Sequence, residues 1–141
     1  GLISQNISFI NAPLIENVAF GKKADEIDIE KAKESLMFGG LKEFCDNSKL
    51  FDFKINPNFK NISEGQAKRL ALARLFYFNK KIVLLDETTA NLDKKLEKEI
   101  LNDLLKNQDL TLILVTHDPN LREIFEKVYK VENKKVLEIK R

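Results

Sequence analysis

The sequence predicts an α/β fold in which a helical region precedes a parallel-sheet core. Three observations carry that expectation. "KIVLLDE" and "LTLILVTH" are continuous apolar runs ending in polar residues, the pattern of strands buried on both faces of a parallel sheet. Between them, "KKLEKEILNDLLKN" places Leu96, Ile100, Leu104 and Leu105 on one helical face. Ahead of them, residues from about 12 to 79 carry mainly helix and loop signals. Strand, helix, strand, helix describes a doubly wound core. The expected organisation is a helical lobe over about 12–79 and an α/β lobe over about 80–141.

Taken in order, "GLIS" reads as the tail of a strand. "NAPLIENVAFG" reads as a loop and a short helical turn stopped by Gly21. "DIEKAKESLMF" has Ile29, Ala32, Leu36 and Met37 at helical spacing, and Gly39-Gly40 ends it. A short helix in "LKEFC" follows. "DNSKLFDFKINPNFKN" carries Asn, Asp and Pro and reads as loop, although its three Phe need cover. A helix is expected from after Asn61 to about Phe78. In "DPNLREIFEK", Asp118 is the expected N-cap and Pro119 the first helical residue. "VYKVENKKVLEIK" alternates around Asn-Lys and reads as a terminal hairpin.

A length of 141 residues suits one domain with a real core. Lys and Arg total 24 and Asp and Glu total 22, a net charge of +2. That balance offers no basic stripe for nucleic acid, so no nucleic-acid partner is expected, and the scattered lysines read as solvated faces. Cys45 is the single cysteine; it excludes an internal disulfide, fits a reducing compartment and reads as an inert thiol. No apolar run approaches the roughly 18 residues that cross a bilayer, and no signal peptide opens the sequence. Because the first residue is Gly, the sequence is expected to begin inside a longer one or after a cleaved tag.

Three places could carry chemistry. Ser63 with Gln66 three residues on is a capping box, which by itself explains a helix start. A helix N-terminus with Gly65 in its first turn is also a site for phosphate, since free N–H groups and the dipole favour anions. The two readings are compatible. Asp86 and Glu87 end an apolar strand, where open α/β sheets bind ligands. Asp86 there suits Mg²⁺ held partly through water, and Glu87 suits a general base; capping of the next turn is the structural alternative. His117, the single histidine, closes the second apolar strand and would share that rim, where a histidine can hold a phosphate or orient water.

In this order and at these separations, the motifs resemble the nucleotide-binding domain of ABC transporters over nearly the whole chain. "ISEGQ" (62–66) is similar to the signature, usually LSGGQ, and "AKRLALAR" to the helix behind it. "IVLLD" (82–86) matches Walker B, with Glu87 at the catalytic-glutamate position. "ANLD" (90–93) matches the D-loop, His117 the switch histidine and Gln5 the Q-loop. "PLIENVAFG" resembles the segment after the Q-loop in exporter-type members, commonly close to TIRENI. Two departures stand out. Glu64 replaces the commoner Gly, while Ser63, Gly65 and Gln66 remain. No G-x-x-x-x-G-K-[ST] occurs, since none of Gly1, Gly21, Gly39, Gly40 and Gly65 precedes Lys-Thr or Lys-Ser.

The resemblance implies the helical subdomain plus the C-terminal half of a RecA-like P-loop NTPase core, with parallel strands and a terminal antiparallel hairpin. It implies an ATPase that binds ATP and Mg²⁺ and drives export at the cytoplasmic face of the cell (inner) membrane. Its partners would be a second ATPase domain, paired head to tail, and a transmembrane domain. Glu87 would be the general base, Asp86 would order the magnesium shell, and His117 would contact the γ-phosphate. Gln5 would sense nucleotide, at the metal as well, and Asp93 would bridge protomers. Ser63, Glu64, Gly65 and Gln66 would face ATP on the partner. A soluble ABC-type ATPase of DNA repair or chromosome maintenance shares these motifs, but the "PLIENVAFG" segment and the lack of a coiled-coil insertion or basic face favour the exporter. The other rival is a non-catalytic interaction fragment, and for the isolated residues it is close to the expected reading: without Walker A, the 141-residue chain alone is expected to be inactive as an ATPase.

With no Walker A motif to supply phosphate-binding N–H groups and a Lys, the 141-residue chain is expected to bind Mg-ATP weakly. Calorimetry should give no dissociation constant tighter than about 1 mM, worth roughly 4 kcal/mol. A micromolar constant would contradict the expectation.

Overall fold

The computed structural model describes residues 1–4, 6–58, 60–87 and 93–139. Its helices are α1 (Leu14–Val18), α2 (Ile29–Phe38), α3 (Asn47–Asp52), α4 (Glu64–Phe78) and α5 (Lys94–Leu105), with short 3₁₀ turns between several of them. Strands β1 (Leu2–Ile3), β2 (Ile82–Asp86) and β3 (Thr111–Val115) form a parallel sheet in the order β1-β2-β3. Strands β4 (Tyr129–Glu132) and β5 (Lys135–Glu138) form an antiparallel hairpin. Its turn residues, Asn133 and Lys134, have φ of 50° and 59°, the two positive values a type I′ turn requires.

Local capping sets where the helices begin. Asp28 accepts from the Lys31 N–H at the start of α2, and Asp93 accepts from the Lys95 and Leu96 N–H groups at the start of α5. Asn79, in the left-handed region at φ 44°, ends α4. The stretch read as loop after Cys45 contains α3 instead. Asp46 caps it through the Ser48 N–H, and Leu50 is buried completely. Turn-forming residues ahead of Leu50 thus serve as a helix start, a use that only packing of the leucine reveals. The "LKEFC" helix is a 3₁₀ turn, Lys42–Phe44. The segment after Asp118 keeps the expected cap and Pro119 but runs as 3₁₀ helix over Pro119–Ile124. Leu121 is its single buried residue, so no apolar stripe holds further turns on the core.

Two apolar cores form. The first gathers α1, α2, α3 and one side of α4 around Leu14, Val18, Leu36, Leu50, Ile55 and Leu70. On α2 the buried residues are Ala32, Ser35 and Leu36, while Ile29 and Met37 are largely exposed, so the stripe is narrower than the sequence spacing suggested. Gly39 lets the end of α2 reach α4: a Cβ there would lie 2.7 Å from the Arg69 carbonyl oxygen. The second core packs Ile3, Val83 and Leu85 of the sheet against Ala71 and Leu72 of α4 and Ile100, Leu101 and Leu104 of α5. Leu105, expected on that face of α5, is 37% exposed; Leu101 and the carboxylate-bearing Glu97 are buried there in its place.

The two long strands were expected to be covered on both sides, and here they are not. Alternation puts Val83 and Leu85 under the helices and leaves Ile82 61%, Ile113 49% and Val115 46% exposed on the opposite face. Both α4 and α5 contribute to the same core, so one face of a parallel sheet meets solvent. Such a face, with exposed Val131, Val136 and Leu137 on the hairpin, favours self-association. Light scattering on the 141-residue chain should show a dimer or larger species. A clean monomer at high concentration, with little binding of an apolar-surface dye, would contradict this.

Candidate functional site

The parallel register of β2 and β3 sets Asp86 opposite Val115, so the residues that follow each strand emerge on one rim. Glu87 leaves β2 with φ 51°, in the left-handed region that a glutamate seldom adopts, and its N–H donates to the Val115 carbonyl at 3.0 Å. That bend turns its side chain toward the β3 side. There the His117 Nε2 lies 2.7 Å from Glu87 Oε1. With its proton on Nε2, the imidazole can donate to the carboxylate at this distance. The His117 side chain is 91% exposed and that of Glu87 29%, so a partly sheltered carboxylate meets an imidazole open to approach from outside. The pair has the reach to take a proton from a water and to donate to an anion.

Asp86, half-buried at the last position of β2, stands beside this pair. Among the described residues no group of three His, Cys, Asp or Glu could hold a metal. A single carboxylate nevertheless suits Mg²⁺, which is bound by one or two carboxylates with waters and substrate phosphates completing its shell. Asp93 is occupied as the cap of α5, accepting from Lys95 N–H at 3.0 Å and Leu96 N–H at 3.1 Å. Gln5, and residues 90–92 of the "ANLD" motif, lie outside the described residues.

The capping box expected at the start of α4 is formed. Ser63 Oγ accepts from the Gln66 N–H at 3.1 Å, and Gln66 Oε1 accepts from the Ser63 N–H at 2.9 Å. Gln66 Nε2 also donates to Glu43 at 3.4 Å, and Glu64 pairs with Lys68 at 3.0 Å. Gly65 is the informative residue. A Cβ there would meet nothing nearer than Ser63 Oγ at 3.9 Å, so the fold itself does not demand a glycine. Glycine in a helix costs about 0.8–1.0 kcal/mol relative to Ala, and a surface without a side chain lets a ligand reach the N–H groups. The structure thus brings Glu87 to His117 and Ser63 to Gln66, on separate elements.

Sequence reasoning missed a third feature, behind α4. The Arg74 guanidinium donates from Nη1 to the Ser8 carbonyl at 2.7 Å, from Nε to the Asn17 carbonyl, and from Nη2 to Asn17 Oδ1 at 3.1 Å. Its carbon lies 4.4 Å from the Phe9 ring centroid and 5.2 Å from that of Phe20. Burial lowers the Arg74 pKa to about 10, so it stays charged at neutral pH. Asn17, fully buried, donates in turn to the Ile10 and Ala12 carbonyls, both at 3.1 Å. Together they fasten α4 to the segment that follows Gln5. An Asn and an Arg set within "LIENVAF" and "LALARLF" were the available signals.

A sequence model of the ABC transporter family matches residues 1–90. The lacticin-481/lactococcin-DR transport/processing ATP-binding protein of Lactococcus lactis is 30% identical, covering 97% of this chain and 20% of that protein. The lactococcin-G-processing and transport ATP-binding protein of the same species is 33% identical over 89% of this chain and 18% of its own length. The structure of a bacterial Atm1-family ABC exporter with ATP bound superposes with a TM-score of 0.74 at 24% identity, over 85% of this chain and 21% of that one. The last likeness concerns the fold, and it agrees with the parallel sheet and terminal hairpin. The chain spans about a fifth of the length of these relatives. Among its described residues no helix is long and apolar enough to cross a membrane.

The cap geometry makes a direct prediction. Ser63→Ala removes the acceptor of the Gln66 N–H and should lower stability by about 1 kcal/mol, a loss of a few degrees in Tm on the order expected at this size. Thermal unfolding followed by circular dichroism checks it, and an unchanged midpoint would show that Ser63 is not needed to start α4.

Proposed function

We propose, starting from the fact that this chain belongs to the ABC transporter family, that it forms the signature and Walker B portion of an exporter-type ATPase. Residues 12–79 would be the helical subdomain and residues 80–141 the C-terminal half of the RecA-like core. The observation that carries this reading is the Glu87–His117 contact of 2.7 Å on a rim of parallel strands, directly beside Asp86.

Each residue then has a task. Glu87, half-sheltered and bent out of β2, accepts a proton from the water that attacks the γ-phosphate of ATP. His117 keeps its Nε2 proton toward Glu87, or turns it to the γ-phosphate oxygens when these approach its exposed ring. Asp86 would hold Mg²⁺; bound with the nucleotide, that ion neutralises phosphate charge. Ser63 and the N–H groups around Gly65 present a helix N-terminus to the phosphates of ATP carried by a second ATPase domain. Glu64 and Gln66 flank that surface, Asp93 lies where the two domains would meet, and Gln5 precedes the segment that Arg74 fastens. The other partner is a transmembrane domain, which places the ATPase at the cytoplasmic face of the membrane. The names of the relatives, transport ATP-binding proteins, support this reading.

The test is made in an assembled ATPase that supplies a P-loop. Glu87→Gln keeps shape and hydrogen bonding but removes the base, so phosphate release should fall by roughly 10²-fold or more. ATP binding should survive, and a nucleotide-bound pair of domains should accumulate on size exclusion. Asp86→Asn should weaken binding of the magnesium complex as well. Near-normal hydrolysis by the Glu87→Gln protein would remove Glu87 from the role of base.

A further inference from the structure

Lys94 opens α5 directly after Asp93, and Asp118 directly follows His117. The Lys94 ammonium donates to Asp118 Oδ2 and lies 3.6 Å from Glu97 Oε2. Its two acids differ from ordinary surface partners. The Glu97 side chain is 3% exposed and that of Asp118 17%. Among the described residues Glu97 Oε2 is buried without a hydrogen-bond donor, and the Lys94 ammonium nearby offsets its charge. The other Asp118 oxygen accepts from Asn120 N–H at 2.9 Å and Nδ2 at 2.8 Å, while the Asp118 N–H donates to Thr116 Oγ1 at 3.0 Å. The loop carrying His117 is therefore braced within itself, and Lys94 joins it to α5.

We propose that Lys94 is a positioning residue: it ties the His117 loop to the start of α5 and so holds the imidazole against Glu87. An exposed Lys–Asp pair on its own contributes little. Here one cation sits between two carboxylates on different elements, and removing it leaves two acids with no cation between them. Repulsion then acts on the loop, and the residue beside Asp118 is His117. The protonation preferences agree with the pairing: the hydrogen bond with Asp118 raises the Lys94 pKa, and the same bond lowers that of Asp118. In the ATPase this tether would link the domain-facing end of α5, at Asp93, to the residue pair that handles the water. That consequence rests on the function proposed above; the placement of His117 does not.

Nuclear magnetic resonance of the 141-residue chain, without nucleotide, tests the placement. The unsubstituted chain should give cross-relaxation peaks between the His117 ring and the Glu87 side chain. Lys94→Met should weaken them by about twofold or more, the scale on which directly coupled groups change population, while the unfolding midpoint stays near that of the parent. Lys94→Arg should restore them. Asp118→Asn, which keeps the cap acceptor, should weaken them as Lys94→Met does, and the double variant no further. Parental intensity in a folded Lys94→Met chain would overturn the proposal, as would absence of the peaks in the unsubstituted chain. Global unfolding of both Lys94→Met and Asp118→Asn would overturn it too, by assigning Lys94 to stability alone. Because no nucleotide is used, an ATPase that proved inactive would leave the result standing.

Discussion

Helix α4 is apolar on two sides, and the rest of the structure is arranged around that fact. Ala67, Leu70, Ala73 and Tyr77 face the helical core, while Ala71 and Leu72 face the sheet. A helix with apolar residues on two sides is stable only when both are covered. Enclosing it requires α1–α3 on one side and β1–β3 with α5 on the other. Full burial of a residue such as Leu70 or Leu72, each 1% exposed, is worth about 1.5–3 kcal/mol relative to exposure. One consequence reaches the surface. With its body held from both sides, α4 presents its first turn, at Ser63, Glu64 and Gly65, as a helix N-terminus oriented by the packing of the turns behind it.

Register does for the strand ends what packing does for the helix. Pairing of Asp86 with Val115 fixes the exits of β2 and β3 relative to each other. The backbone of Glu87 then turns through the left-handed region, at a local cost of about 1–3 kcal/mol, and meets His117. Strain of this kind persists where surrounding structure enforces it; the N–H bond from Glu87 to Val115 is the visible restraint. The acid and the imidazole come from residues 30 positions apart in sequence, and two parallel strands suffice to join them.

Arg74 and Asn17 link these parts to the segment after Gln5. A guanidinium held by the Ser8 and Asn17 carbonyls, the Asn17 side-chain oxygen and two aromatic rings grips mainly backbone. Movement of α4 would therefore carry residues 8–17 with it as a unit. Asn17 adds bonds to Ile10 and Ala12, so the segment keeps its shape while it is held.

Periodicity and local chemistry determined much of this protein directly. The runs "IVLL" and "LILV", the S-x-x-Q box and the Asn-Lys turn each name their structure because the forces involved act within a few residues. The candidate chemistry of Asp86, Glu87 and His117 was legible for a related reason: polar residues ending apolar strands have few places to go. Features set by distant neighbours were not legible. The helix α3 depends on a pocket for Leu50, the exposed face of β2 and β3 on which side the helices pack, and the burial of Glu97 instead of Leu105 on the exact rotation of α5. The contacts of Arg74 with Asn17 and of Lys94 with Asp118 bridge 57 and 24 positions. No local pattern specifies such pairs, because their geometry exists only after both cores have closed.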